Sequence, residues 1–202
     1  MNKKVLAWIF FVLFILQLFV IYKILGGFDM PRHSLETPLD RAIPFVSFFI
    51  IPYFFLFPGL IISFLYTRKY FFEVSVTFFI STTLVHLIFI LFPTYMIRPE
   101  IVPRNLFDSL VVFLYNNDAP TNLFPSGHVT YSLLGTLIIY DTHKEIGLWI
   151  VPWTLLLILS TLFIKQHVIL DVVLGIVLAV LCYLFYKVIK SKNFDENLVS
   201  KK

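Results

Sequence analysis

The chain has little charge: only 14% of its 202 residues are Asp, Glu, Lys or Arg, against about 25% in a typical soluble domain. Hydrophobic residues make up 59%, including 24 Phe, and the mean hydropathy is +0.89. This composition excludes a disordered chain, a basic nucleic-acid-binding domain and an ordinary cytosolic enzyme. It predicts a single integral membrane domain over residues 1–202. The net charge of +4 is too small to indicate a polyanionic partner, so no nucleic acid is expected.

The chain also lacks a second cysteine and a signal-peptide cleavage site. Because Cys182 is the one cysteine, no intrachain disulfide can form, and the redox compartment cannot be inferred. The apolar run after Lys3 and Lys4 is longer than the hydrophobic region of a signal peptide, and no A-x-A pattern follows it. We therefore interpret this run as a retained membrane span.

Six apolar stretches are candidates for crossing a bilayer, which takes about 20 residues. They cover residues 5–25, 42–66, 72–92, 126–140, 146–164 and 167–189. The fourth stretch is about 15 residues long, or about 22 Å of helix, so we expect it to start below the membrane surface. The predicted fold is all-α: a polytopic membrane protein with six transmembrane helices.

Lys and Arg positions predict the orientation, because these residues are enriched in cytoplasmic segments. If the N-terminus is inside, ten of the sixteen basic residues lie on the inner side: Lys3, Lys4, Arg68, Lys69, Lys144, Lys187, Lys190, Lys192, Lys201 and Lys202. Both termini are therefore predicted to be cytoplasmic. The long loop of residues 93–125, between the third and fourth spans, is then extracytoplasmic. Its apolar residues at helical spacing, from Leu106 to Leu114, predict a short helix in the membrane interface.

Five ionisable residues near span ends are functional candidates, because such groups are costly in a membrane. They are Arg98, His128, Lys165, His167 and Asp171. The alternating direction of the spans predicts that all five lie at the extracytoplasmic face. His167 and Asp171, four residues apart, would share a helix face. The carboxylate can then fix one imidazole nitrogen and leave the other as a nucleophile or base.

The segment Pro125-Ser126-Gly127-His128 opens the fourth span. Ser126 is a good N-cap, and Gly127 allows a ligand to approach the backbone closely. The free N–H groups that follow favour an anion, and His128 stands beside them in the first turn. Asn122, shortly before, either binds phosphate or forms an Asx turn ahead of Pro125.

Two other polar residues are interpreted as structural. His86 stands alone in the third span, and we expect it to be a hydrogen-bonded histidine of the core. Asp118 is expected to stabilise the long loop. Together with Asp171 and the histidines it does not form the oxygen cage that magnesium prefers, so no metal is predicted.

These segments resemble the type-2 phosphatidic acid phosphatase superfamily, which also includes bacterial acid phosphatases and vanadium haloperoxidases. The resemblance is carried by Arg98-Pro99, by Pro125-Ser126-Gly127-His128, and by Ser160 with His167 and Asp171. It implies an integral membrane hydrolase or phosphotransferase of lipid metabolism that needs no cofactor. The expected substrate is a lipid phosphate, such as phosphatidate, phosphatidylglycerol phosphate or polyprenyl diphosphate, cleaved at the extracytoplasmic face of a cell membrane, with a bacterial membrane the best fit.

The resemblance and the residues agree on a mechanism. His167 attacks phosphorus and forms a phosphohistidine, Asp171 orients it, and His128 protonates the leaving oxygen and then activates water or an alcohol. The phosphate oxygens are assigned to a second set of residues: Arg98, Asn122, Ser126, Gly127 and Lys165.

Two family positions differ in this chain. Leu91 stands where the family has a Lys and Thr161 where it has an Arg, and Lys165 can replace either charge. Residues 118–126 and 165–167 resemble the branch related to inositol phosphorylceramide synthase, which transfers phosphorylated head groups between lipids. Hydrolase and transferase therefore both stay open. The missing cations also leave a second class open, a non-catalytic transporter or decayed relative that binds lipid phosphate.

Overall fold

The computed structural model describes residues 2–27 and 31–199, with side chains up to residue 192. Within these ranges the regular structure is helical, apart from two residues of parallel pairing between β1 (His33–Ser34) and β2 (Thr94–Tyr95). The predicted helical class is therefore confirmed. Lys201 and Lys202, which are predicted to lie on the inner side, are outside the described residues.

The first span is a continuous helix with a change of winding. It consists of α1 (Lys3–Leu16), a π-helical stretch (Gln17–Ile21) and α2 (Tyr22–Gly26). Together they cover 24 residues, a helix long and apolar enough to cross a membrane.

The second span starts later than the sequence predicts. Ala42 is the last residue of a short helix, α3 (Pro38–Ala42), and Ile43 is extended, with ψ at 123°. The reason is Pro44, because a residue before proline is pushed out of the helical region. The span itself begins with a 3₁₀ turn (Ser47–Phe49) and α4 (Ile50–Tyr53).

After α4 the helix is interrupted at residues 54–55 and resumes as α5 (Leu56–Tyr66). Pro58 explains the interruption, because it has no N–H to donate to the carbonyl of Phe54. The break leaves Tyr53, which is only 3% exposed, at the end of a helix that faces the interior of the bundle.

The remaining helices follow the predicted order. They are α6 (Phe71–Leu91), α7 (Leu106–Asn117), α8 (Gly127–Thr142), α9 (Lys144–Phe163) and α10 (Ile169–Val199). Among the described residues, five helical segments are long and apolar enough to cross a membrane. The fourth predicted span, α8, has 16 residues and is not one of them, so six spans stays a prediction.

The predicted short helix in the long loop is present as α7. Asn105 caps it by accepting a 3.0 Å hydrogen bond from the N–H of Asp108. Val111 is fully buried, whereas Leu106 and Phe113 are more than 60% exposed. An apolar face that stays exposed is typical of a helix that lies in a membrane interface.

Helix α8 lies at the centre of the bundle, packed against α5, α9 and α10. Two glycines make these contacts close. A Cβ on Gly135 would lie 2.5 Å from Oγ of Ser63 on α5, and one on Gly175 would lie 2.9 Å from the carbonyl of Ser126. The N-terminus of α8 is therefore held directly against α10.

Candidate active site

His167 lies in the tight turn between α9 and α10, not on a helix as the sequence predicts. Lys165 adopts a left-handed conformation with φ at 51°, and the N–H groups of Gln166 and His167 both donate to the carbonyl of Thr161, at 2.9 and 3.0 Å. Helix α10 begins two residues later, at Ile169. The turn thus fixes the backbone of His167 before the helix starts.

Asp171 connects this turn to α8. Its Oδ2 lies 3.2 Å from Nδ1 of His167 and accepts a 3.0 Å hydrogen bond from the N–H of Val168. Its backbone carbonyl accepts a 3.0 Å hydrogen bond from the N–H of Ser126. Because Nδ1 of His167 faces the carboxylate, its Nε2 is the nitrogen left for chemistry.

His128 stands opposite, in the first turn of α8. Its ring centroid is 5.9 Å from that of His167, and its ring stacks on Tyr53 with centroids 4.4 Å apart. The backbone N–H groups of Gly127 and His128 have no hydrogen-bond partner among the described residues. They form the free helix N-terminus that the sequence predicts.

Ser126 is the predicted N-cap, and its Oγ accepts a 3.3 Å hydrogen bond from the N–H of Val129. Since its N–H already donates to Asp171 and its side chain is fully buried, Ser126 acts in this structure as a scaffold for the turn. Its predicted contact with phosphate stays a prediction.

The two histidines line a cavity of about 230 Å³. Its polar lining also includes Asn122, Asp118 and Gln166, and its apolar lining includes Phe19, Phe57, Val85 and Phe89. Phe19 and Phe57 are about half exposed, and their rings stack at 5.8 Å. The cavity therefore runs from the histidines to the apolar outer surface of the bundle.

A second cavity of about 580 Å³ is also lined by His167. Its lining is more charged than that of the first cavity and includes Glu36, Asp40, Arg41, Arg98 and Lys165. His167 therefore borders both cavities.

Arg98 reaches the site, and each of its two terminal nitrogens donates a hydrogen bond to the protein. Nη1 donates to the carbonyl of Asp118 and Nη2 to Oε1 of Gln166, both at 2.5 Å. Its guanidinium lies 4.7 Å above the ring of Tyr115, while Nε is buried without a partner. Arg98 borders the second cavity rather than the one shared by the two histidines.

Lys165 is directed away from the two histidines. Its ammonium group donates to the carbonyls of Asp40 at 2.8 Å and Ile43 at 2.5 Å. Burial lowers the pKa of Lys165, and the nearby charges of Asp40 and Glu36 partly oppose this shift. In this geometry Lys165 ties the turn to the loop before the second span, and its predicted phosphate contact stays a prediction.

Asn122 is 2% exposed and has a left-handed backbone, with φ at 58°. Neither atom of its side-chain amide has a hydrogen-bond partner, so the Asx turn that the sequence left open is not formed. The amide lines the cavity with His128 and His167, where a ligand could satisfy it.

Two residues of the site were missed by the sequence analysis. Tyr53 lies in an apolar run and gives no signal that distinguishes it from a core or lipid-facing aromatic residue. Gln166 did give a signal, because it lies in residues 165–167, the run that resembles the inositol phosphorylceramide synthase branch, but no role was assigned to it. In the described part of the chain, no group of three His, Cys, Asp or Glu residues could hold a metal ion.

Comparison with known proteins identifies the family of the segment that carries these residues. The family model described as PAP2 superfamily matches residues 71–195, more than half of the 202 residues, and this segment contains His128, His167 and Asp171. Searches of curated proteins and of solved structures gave no match. The family that the motifs predict is thus confirmed, and it implies phosphatase or phosphotransferase activity on phosphate esters. The chain belongs to the PAP2 superfamily.

Proposed function

We propose that this protein is an integral membrane lipid phosphatase or phosphotransferase with its active site at the extracytoplasmic face. The observation that carries the proposal is the pair of rings of His128 and His167, 5.9 Å apart, in a cavity that is also lined by apolar residues of the outer surface such as Phe19 and Phe57. A lipid phosphate has the same two parts, since its anionic head must leave the hydrocarbon while its tail is stable there.

In the first step, Nε2 of His167 attacks phosphorus, the bond between phosphorus and the lipid oxygen breaks, and protonated His128 donates its proton to that oxygen. The products are a phosphohistidine and the lipid alcohol, or the lipid monophosphate when the substrate is a diphosphate. Asp171, 3.2 Å from Nδ1 of His167, stabilises the imidazole as it becomes positive. Both histidines lie within reach of a single phosphorus atom between them.

In the second step, neutral His128 removes a proton from water or an alcohol, the new oxygen–phosphorus bond forms, and the bond from Nε2 to phosphorus breaks. Water gives inorganic phosphate, and an alcohol gives a transferred phosphate ester. The second cavity, which is lined by His167 and by several charged residues, gives water or an alcohol a route to the phosphohistidine. This geometry suits both hydrolysis and transfer.

The phosphate oxygens are held mainly by neutral donors in this proposal. The free N–H groups of Gly127 and His128 point from the positive end of α8, where the helix dipole favours an anion. The Asn122 amide, which has no hydrogen-bond partner within the described ranges, provides a further donor. Positioned donors of this kind supply much of the catalysis in phosphoryl transfer.

The test is phosphate release from a panel of phosphatidate, phosphatidylglycerol phosphate and polyprenyl diphosphate, using purified protein in detergent with a metal chelator. We expect His167→Ala to abolish release and His143→Ala, a matched change in the turn between α8 and α9, to preserve it. Acid-labile labelling of the parent at His167 would support the intermediate. Orthovanadate binding without turnover of any substrate would instead favour the non-catalytic class.

A further inference from the structure

The side-chain amide of Gln166 has a hydrogen-bond partner in the described structure at its oxygen but not at its nitrogen. The residue is 1% exposed, and its Oε1 accepts a 2.5 Å hydrogen bond from Nη2 of Arg98. Its Nε2 is buried and has no hydrogen-bond partner among the described residues. A buried amide donor without a partner destabilises the fold, so its presence beside His167 calls for an explanation.

The chemistry of Arg98 removes the usual ambiguity about the direction of this amide. A guanidinium has only donors, so the atom of Gln166 that faces Arg98 must be the oxygen. The nitrogen must then face the other way. Gln166 lines the cavity that it shares with His128 and His167, which leaves the two N–H bonds of Nε2 available to a ligand there.

We propose that Gln166 donates to a phosphate oxygen during the reaction, and that Arg98 acts through Gln166 as a positioning residue. The inference rests on the proposed function. A donor at Gln166 would help to hold the phosphate in a site where Leu91 and Thr161 replace two cations of the family pattern. The charge of Arg98 then acts by fixing the amide of Gln166, and this amide provides a positioned donor for the phosphate.

Gln166→Glu is the sharpest test, because its carboxylate keeps an acceptor for Arg98 and replaces the donor by a negative oxygen. We expect turnover to fall by about 100-fold or more and orthovanadate to bind more weakly, with thermal stability retained. Ser109→Glu, which adds the same charge on the exposed side of α7, is the matched control and should change neither quantity. Unchanged turnover and vanadate affinity in Gln166→Glu would overturn the proposal.

A double-mutant cycle separates positioning from a purely structural role of Arg98. If Arg98 acts through Gln166, Arg98→Met should lower turnover in the parent and have little further effect in the Gln166→Met background. Additive losses would contradict the positioning role.

Vanadate binding also distinguishes failure of this inference from failure of the proposed function. A parent that turns over no phosphate ester, but binds vanadate more tightly than Gln166→Glu does, would refute the function and support the donor. A parent that binds no vanadate would refute both.

A second, independent observation concerns His86 on α6. The residue is 6% exposed, Nδ1 has no hydrogen-bond partner among the described residues, and His86 lines the same cavity as His128 and His167. The expected hydrogen bond to the core is thus absent at Nδ1 in this part of the chain. A polar ring without this partner inside an apolar helix is costly, and a ligand in the cavity could supply the partner.

We propose that His86 donates a hydrogen bond to an ester carbonyl of a glycerolipid phosphate, which makes glycerolipids rather than polyprenyl phosphates the substrate class. This proposal also rests on the proposed function. A polyprenyl chain offers no ester carbonyl near its phosphate groups, whereas a diacylglycerol chain has ester carbonyls a few bonds away. His86 would then distinguish the two classes of lipid.

The test compares binding of three unreactive phosphonate analogues, of an ester-linked glycerolipid, its ether-linked counterpart and a polyprenol. His86→Leu should weaken binding of the ester analogue by about 10-fold, which is one hydrogen bond, and leave the other two unchanged. His86→Gln, which can still donate, should restore part of the loss. Equal effects on all three analogues, or no effect on any, would refute the role of His86 without touching the proposed function.

Discussion

The carboxylate of Asp40 accepts a 2.7 Å hydrogen bond from the backbone N–H of Ile169, the first residue of α10. The two residues are 129 positions apart in the chain. Oδ2 of the same carboxylate accepts from the N–H and hydroxyl of Thr37 at 2.8 and 2.5 Å. The loop before the second span therefore caps the helix that follows His167, and it holds the turn that carries this ring.

Removing this cap should destabilise the protein. Asp40→Ala leaves the N–H of Ile169 without an acceptor, and we expect a loss of about 1–3 kcal/mol in the free energy of unfolding. Asp40→Asn keeps one carbonyl acceptor and should lose less. Thermal unfolding in detergent micelles measures both variants. An Asp40→Ala protein as stable as the parent would show that the cap contributes nothing.

The charge of Asp40 also predicts a dependence on pH. Burial alone would raise its pKa, but hydrogen bonds from Thr37 and Ile169 and the charge of Lys165 lower it below its ordinary value. A lowered carboxyl pKa stabilises the fold above the unfolded value, about 3.9, and this stabilisation is lost as the pH falls through the folded value. The melting-temperature advantage of the parent over Asp40→Asn should therefore decrease as the pH falls below about 4 and disappear below the folded pKa.

Lys165→Met distinguishes two roles for the lysine. Because its ammonium contacts the carbonyls of Asp40 and Ile43, we expect a lower melting temperature and unchanged affinity for orthovanadate. Lys144→Met, at an exposed position at the start of α9, is the control and should affect neither. A large loss of vanadate affinity at full stability would support the sequence-based phosphate role instead.

His128→Ala should be sensitive to the leaving group. Loss of a general acid typically costs about 10²–10⁴ in rate, and a lipid alkoxide needs that proton. A nitrophenolate leaves without a proton, because the anion is stable. Phosphorylation of His167 by nitrophenyl phosphate should therefore be largely preserved in His128→Ala. The second step should stay slow, because it still lacks the general base. Accumulation of phosphohistidine under these conditions is the expected result. An equal loss in the rate of His167 phosphorylation with the lipid phosphate and with nitrophenyl phosphate would contradict the role of His128 as general acid.

The predicted orientation can be tested with single cysteines. In a Cys182→Ser background, Glu100→Cys in the long loop should react with a membrane-impermeant maleimide in intact cells. Lys144→Cys, between α8 and α9, should react only after the membrane is opened, because the two positions lie on opposite faces in the predicted topology. The reverse pattern would move the active site to the cytoplasmic face.

The sequence by itself determined the features that depend on neighbouring residues. Five of its six apolar stretches appear as helices long enough to span, and the predicted cap at Ser126 and interface helix α7 are present. Apolar length, capping side chains and proline act within a few residues, so they can be read from a local pattern. The motif spacing identified the family for the same reason.

Only the tertiary structure decided where the polar side chains point. Arg98 meets Gln166 across 68 positions and Lys165 meets Asp40 across 125, so no local pattern predicts either contact. These pairings turn two predicted phosphate ligands toward protein carbonyls and leave the amides of Gln166 and Asn122 facing the cavity. The direction of a buried polar group is set by whichever partner packing brings within hydrogen-bond distance, and packing is a property of the whole chain.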